Sequence, residues 1–370
     1  MKSIQTYREE LHKIPEIGLQ EFKTHDYLIN ELKALGYHPE TVFNTGVFLY
    51  LDYGQKDTIM FRSDIDGLKI TEQNAIPFKS THQGMMHACG HDGHMAMLLG
   101  FAHALKDIKH LNRNVLLVFQ PAEEYPGGAK EIIKTGLLTK YNVKEVYGIH
   151  LFPNLEEGTI NTKPGPLMGN ITLFDVEVHG KSAHAAMKDE GIDALYAATL
   201  FYTKVKAQLS KELDHEPHVA TFGQMSSGSA INIISNYTLL KGTIRSLSKA
   251  TYDHIVRIIE QVKEDVSLDT GAKIDVHLNF LYPAVNNDPI LYEKAKNTLQ
   301  GLPFHELKEP YLISEDFSYY QQVVPGIFFL LGTKNEAKGF TYLLHNDRFN
   351  FNPEVLSQGV DLYLKLIQSY

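Results

Sequence analysis

The sequence predicts an α/β protein: a mixed, mostly parallel sheet with helices on both faces, interrupted by an inserted α+β domain of ferredoxin-like pattern. Three observations carry this. Four short apolar runs upstream of Leu151 read as buried strands, and helical segments separate the later ones. Three of these runs end in acids or a histidine, and open α/β sheets bind ligands beyond the carboxyl ends of their strands. Near residue 168 the pattern turns to strand, helix, strand, strand, helix, strand, the split ferredoxin-like order.

In chain order, a first helix carries Leu11 and Ile14 and stops at Pro15, whose ring and missing N–H end a helix. Residues 16–24 lead into a second helix with Gly36 as its C-cap. The strands are 47–51, 58–61 (followed by Asp64 and Asp66), 115–119 (followed by Glu123 and Glu124) and 146–149 (followed by His150). Helical spacing runs from Met95 to Leu105. Gly165-Pro166 marks a boundary. The inserted domain then reads as strand 171–178, helix 192–213, strands 220–224 and 236–245, helix 249–266 and strand 274–281. After Tyr282-Pro283 the first pattern resumes with a buried strand at 326–332, and Pro353 opens a closing helix containing Leu362, Leu364 and Leu366. The expected domains are 1–167, an insertion over 168–283 that would serve as lid and dimerisation domain, and 284–370.

Composition narrows the function. At 370 residues, about two domains are expected. No apolar run approaches the ~18 residues of a membrane span, and the amphipathic N-terminus lacks a signal-peptide core. A net charge of -9 without a basic block argues against nucleic acid. The single cysteine forms no internal disulfide, which fits a reducing, cytoplasmic setting. Gly180-Lys181-Ser182 looks like the tail of a phosphate loop, but Asp175 stands where its first glycine belongs, so nucleotide binding is discarded.

The chemistry concentrates in His87-Ala88-Cys89-Gly90-His91-Asp92-Gly93-His94, which packs three imidazoles, a carboxylate and the one thiol into eight residues. The segment is expected to be a loop feeding a helix N-terminus, where the dipole and free N–H groups favour a thiolate at Cys89. Thiolate, imidazole and carboxylate together make a divalent transition-metal set. Asp66, Glu123, Glu124 and His150, at strand ends, complete the candidates.

Seven ordered phrases carry a family resemblance: residues 11–18 (LHKIPEIG), 62–66 (RSDID), 87–92 (HACGHD), 119–124 (FQPAEE), 242–245 (GTIR), 314–317 (SEDF) and 344–346 (LHN). With these, nearly the whole chain resembles the metal-dependent aminoacylase and carboxypeptidase superfamily, whose main domain is zinc-exopeptidase-like. It is most similar to the amidohydrolase branch, which includes hippurate hydrolases, auxin-conjugate hydrolases and bacterial N-acetyldiaminopimelate deacetylases.

The resemblance implies two divalent ions per site (Zn²⁺, Mn²⁺ or Co²⁺) held by Cys89, His91, Glu124, His150 and His345. It casts Glu123 as general base and Asp66 as the residue that orients a ligand. His345, remote in sequence, enters only through the resemblance, and His87 and His94 match no ligand position. His184, Asn232 and Arg245 match substrate-contacting positions, His184 reaching the site of a second subunit in a homodimer or tetramer. Ser182-Ala183 and Lys188-Asp189 depart from the usual phrases there. The expected substrate is a small N-acyl amino acid. The phrase over residues 14–24 is similar to that of N-acetyldiaminopimelate deacetylases, with a hippurate or broad N-acyl-amino-acid hydrolase as the alternative. A non-catalytic relative keeping only the fold would be expected to have lost ligands or the base, and this chain keeps them all.

Overall fold

The computed structural model describes residues 2–370, which form two compact units. One comprises the chain up to Leu167 with Asn286–Glu309 and Asp316–Tyr370. The other comprises Met168–Val285 and Pro310–Glu315.

The first unit is built on an eight-stranded sheet. Its spatial order is Glu40–Val42, Gly46–Leu51, Asn114–Gln120, Thr58–Asp64, Val143–Glu156, Gly326–Lys334, Ile160–Thr162, Phe304–Glu306. The strands Asn114–Gln120, Thr58–Asp64, Val143–Glu156 and Gly326–Lys334 pair in parallel, and antiparallel strands flank them. Every residue of Thr58–Asp64 and Asn114–Gln120 is buried, as expected for central strands covered on both faces. The core joins the sheet to Ile4–His12, His91–Leu105 and Leu356–Gln368 through residues such as Leu11, Leu98, Phe101, Phe61, Ile149 and Leu362. A 3-10 turn, Pro353–Val355, precedes the last helix.

Two boundaries differ from expectation in ways that matter for chemistry. The helix after the Cys/His cluster begins at His91, four residues before Met95, because Gly90 as N-cap takes a left-handed φ of 87°. His91 and His94 therefore stand in its first turn. The strand expected to end before His150 runs through it to Glu156, because Gly326–Lys334 continues to pair with it, His150 lying opposite Leu330. On its other side the partner strand stops pairing at Gly148. His150 thus sits just past the point where one neighbour ends.

The second unit is a four-stranded antiparallel sheet in the order Lys273–Tyr282, Ile171–His179, Tyr237–Ser246, His218–Ser227. Its core packs Phe174, Val176, Val178, Leu240 and Ile244 against the helices Ala194–Leu213 and Lys249–Thr270. Residues 310–315, expected to belong to the returning main domain, sit with this unit.

Candidate metal centre

The parallel strands of the first unit deliver the candidate residues. Asp66 follows Thr58–Asp64, Glu123 and Glu124 follow Asn114–Gln120, and His150 lies in Val143–Glu156. Cys89 and His91 come from the loop and first turn before Leu105, and His345 from an irregular segment near the C-terminus. His345 has a left-handed φ of 63°, and its N–H donates to the Ala88 carbonyl (2.8 Å), which ties that segment to the Cys89 loop.

These side chains converge. The ligand atoms of Cys89, His91 and His150 lie within 4.8 Å of one another, as do those of Cys89, Glu124 and His345 and those of His91, Glu123 and Glu124. Cys89 Sγ is 3.5 Å from His150 Nε2, and His345 Nε2 is 3.0 Å from Glu124 Oε1. Cys89, His91, Glu123 and His150 are buried, whereas the His345 side chain is 52% exposed and opens the cluster to solvent.

The His91 and His150 imidazoles are each oriented through the other nitrogen. His91 Nδ1 is held by the Asp66 carbonyl (2.9 Å), with Asp66 Oδ1 at 3.3 Å, so Nε2 is turned inward. His150 Nδ1 donates to the Leu151 carbonyl (2.7 Å), leaving Nε2 beside Cys89. Ligating histidines are characteristically fixed this way. His94 has no nitrogen to spare. Its Nδ1 bonds Asp64 Oδ1 (2.6 Å) and its Nε2 accepts the Leu151 N–H (2.9 Å), so it supports the site. Asp64 is in turn gripped by Arg62 Nη1 (2.8 Å), whose Nη2 holds Asp316 (2.7 Å) and whose Nε holds Gln120 (2.9 Å). Sequence reading missed Asp64 as a support. Its place at a strand end, within the phrase Arg62-Ser63-Asp64-Ile65-Asp66, is the signal of it.

The donor set fits divalent cations. His91 Nε2 is buried without a hydrogen-bond partner among the described residues, and Glu124 Oε1 meets His345 Nε2, itself a candidate donor, at 3.0 Å. Burial alone would lower the His91 imidazole, but Asp64 and Asp66 outweigh it and push it up to about 10, a field that favours positive charge there. Burial drives His150 well below its ordinary range, with His94 adding to the effect, so it stands as a neutral donor. The expected thiolate at Cys89 is not secured by the helix terminus. Burial, then Glu124, Glu123 and Asp64, pushes the thiol well up, and a cation in the cluster is what would favour its ionised form.

The second unit holds the candidates for substrate contact. His184 caps a 3-10 turn, its Nδ1 accepting from the Ala186 N–H (3.1 Å), and it bridges to Ile233. Asn232 lies beside it, its carbonyl accepting the Ala185 N–H (3.0 Å). Arg245 stands apart from this pair on Tyr237–Ser246. Its Nη1 donates to the Leu312 carbonyl (3.1 Å) and Ser314 Oγ (2.9 Å).

A buried thiol, imidazoles and carboxylates converging beside the strands of an α/β sheet suit a divalent-metal centre of the kind that metal-dependent hydrolases carry. The chain belongs to peptidase family M20/M25/M40, whose description matches residues 60–369. An uncharacterized hydrolase of Staphylococcus saprophyticus is 33% identical over 376 residues, spanning 100% of this chain and 98% of the relative. Among solved structures, a protein of methicillin-resistant Staphylococcus aureus, provisionally described as an aminohydrolase, is 31% identical. It superposes with a TM-score of 0.92 over 98% of this chain and 95% of that one. The YXEP protein of Bacillus subtilis, described as a dinuclear metal-binding peptidase of the M20 family, is 29% identical with a TM-score of 0.86, covering 98% of this chain and 96% of that one.

Proposed function

We propose that the chain is a cytoplasmic, two-metal amide hydrolase of N-acyl amino acids, and that its substrate is N-acetyl-LL-diaminopimelate, cleaved to LL-diaminopimelate and acetate in lysine biosynthesis. The observation that carries the amide-hydrolase reading is the pair of donor triads sharing Cys89, with the carboxylate Glu123 beside them. Cys89, His91, Glu124, His150 and His345 would hold the ions. Zn²⁺, Mn²⁺ or Co²⁺ there would lower the pKa of a water and polarise the amide carbonyl.

The protein's own groups then do the following. Glu123, buried next to Glu124, removes a proton from the attacking water as its oxygen bonds the carbonyl carbon. It returns that proton to the amine nitrogen as the C–N bond breaks. Asp66 orients this arrangement, because its two oxygens accept the Glu123 N–H (3.1 Å) and the Glu124 N–H (3.0 Å) while its main chain and Oδ1 meet His91.

Support for diaminopimelate comes from the phrase over residues 14–24 and from charge matching. The substrate's far end carries a carboxylate and an ammonium, which are costly to bury unpaired. Arg245 and Asn232, which stand apart from one another, are separate candidates for the former, and Asp189 or Glu190 for the latter. A second copy fits the inserted unit, where Leu195, Tyr196 and Tyr202 are exposed on one helix and His218–Ser227 is an edge strand. His184 would then serve the neighbouring copy. No helix among the described residues is long and apolar enough to cross a membrane.

A hydrolysis panel with defined metals tests the substrate. N-acetyl-diaminopimelate should exceed hippurate in kcat/KM by more than about tenfold, because hippurate leaves those charged groups unmatched. Equal or better turnover of hippurate or N-acetyl-methionine removes diaminopimelate and leaves the metal amide hydrolase standing.

A further inference from the structure

The phrase Glu16-Ile17-Gly18-Leu19-Gln20-Glu21 supplies no metal donor and no base, yet Glu21 is fully buried. Both of its oxygens are engaged. Oε1 accepts the Ala122 N–H (2.9 Å) and Oε2 accepts the Thr45 hydroxyl (2.6 Å). Ala122 opens the turn that presents Glu123 and Glu124, and its φ of 57° is left-handed, a conformation a residue with a Cβ keeps only when its surroundings enforce it. Asp66 accepts the next two N–H groups. Three consecutive backbone donors, Ala122, Glu123 and Glu124, thus hang from two buried carboxylates.

The same loop braces its neighbours. The Glu16 carbonyl accepts the N–H of Gly67, the residue after Asp66 (2.7 Å). The Glu16 carboxylate accepts the N–H and hydroxyl of Thr24 (3.0 and 3.1 Å), closing the loop on itself. Gly18 lies flush against the turn, since a Cβ there would come within 2.3 Å of the Tyr125 carbonyl and 2.8 Å of the Ala122 Cβ.

We propose that Glu21 is a positioning residue for hydrolysis: through the Ala122 N–H it fixes the turn that aims Glu123 and Glu124. This rests on the reading of Glu123 as base and Glu124 as ligand. Burial pushes the Glu21 carboxyl up to about 7, while the hydrogen bonds from Thr45 and Ala122 act in the opposite direction.

The test compares Glu21→Ala and Glu21→Gln in the intact, metal-loaded enzyme, with turnover normalised to folded protein. Glu21→Ala should lower kcat by at least about 10-fold, below the about 100-fold that a 1 Å misplacement can cost, with KM within about twofold. Glu21→Gln, whose carbonyl oxygen can still accept from Ala122, should recover most of that loss. Hydrogen–deuterium exchange on the metal-free proteins should show residues 121–127 exchanging faster in Glu21→Ala alone. Should Glu21→Ala fail to fold, Thr45→Val makes the same test by releasing the other end of the carboxylate, and kcat should fall at unchanged KM. Wild-type kcat and exchange in the folded variant overturn the proposal. Glu123→Gln run in parallel separates the two readings. If it is inactive while Glu21→Ala is not, only the Glu21 role falls, whereas an active Glu123→Gln removes the base assignment.

Discussion

Asp66→Asn is the substitution whose consequence the geometry fixes most closely. Asparagine keeps the shape of aspartate but replaces one acceptor oxygen with a donating NH₂. Both oxygens of Asp66 are committed to backbone donors, Glu123 N–H at 3.1 Å and Glu124 N–H at 3.0 Å. Whichever way the amide turns, one N–H of the turn faces another donor. A hydrogen bond to a charged group contributes about 1.5–3 kcal/mol, and the abandoned donor is shut away from water at a similar cost. A net loss of about 2–3 kcal/mol corresponds to about 30- to 150-fold. If the turn yields, the loss falls on kcat/KM; if it holds, it falls on folding stability. Steady-state kinetics and urea unfolding of the metal-free protein read the two channels. Asp66→Asn with kcat/KM within about threefold of wild type and an unmoved unfolding midpoint would refute the reasoning.

Three other expectations rest on contacts elsewhere in the chain. Cys89→Ser replaces the donor common to two triads with a hydroxyl that stays protonated at neutral pH, so elemental analysis should find at least one ion lost per chain, and unchanged stoichiometry would return Cys89 to a packing role. Burial would lower the His12 imidazole, but Asp92 (2.8 Å) and Glu72 (3.1 Å) raise it. Its stabilisation is therefore complete below the unfolded value of about 6.5 and fades as pH rises through the folded one. The stability difference between wild type and His12→Gln in urea should accordingly shrink on the alkaline side, and a difference that grows there would reverse the sign of the argument. If His184 serves a neighbouring copy, mixing His184→Ala with Glu123→Gln should restore activity through hybrids, and no recovery after confirmed subunit exchange counts against it.

Much of the fold was legible because local pattern and tertiary role agree. The continuous apolar runs Ile59–Phe61 and Val115–Phe119 are central strands buried on both faces, and the alternation over 171–178 marks a sheet with one covered face. The second helix stops one residue earlier than expected, with Leu35 as its C-cap, and Gly36 follows at a left-handed φ of 86°, its N–H donating to the Lys33 carbonyl at 2.8 Å. Legibility failed where a distant partner decides. The length of the strand through His150 depends on Gly326–Lys334, far along the chain, and the placement of residues 310–315 depends on contacts with Gly169 and Arg245. His345 carries no periodic signal, since it sits in an irregular segment at positive φ. Glu21 reads as an ordinary helix-leading acid until the fold brings Ala122, 101 residues away, onto its oxygen.

The central claim is that the clustered donors hold ions for amide hydrolysis and that Glu123 moves the proton. Acetate release from N-acetyl-diaminopimelate, measured on metal-stripped, metal-restored and metal-restored Glu123→Gln protein, tests it most directly. Stripping should abolish release, and Zn²⁺, Mn²⁺ or Co²⁺ should restore it. Glu123→Gln should remain at least about 100-fold slower in kcat while binding its full complement of ions. Turnover by the stripped protein, or near wild-type turnover by fully loaded Glu123→Gln, would contradict the account.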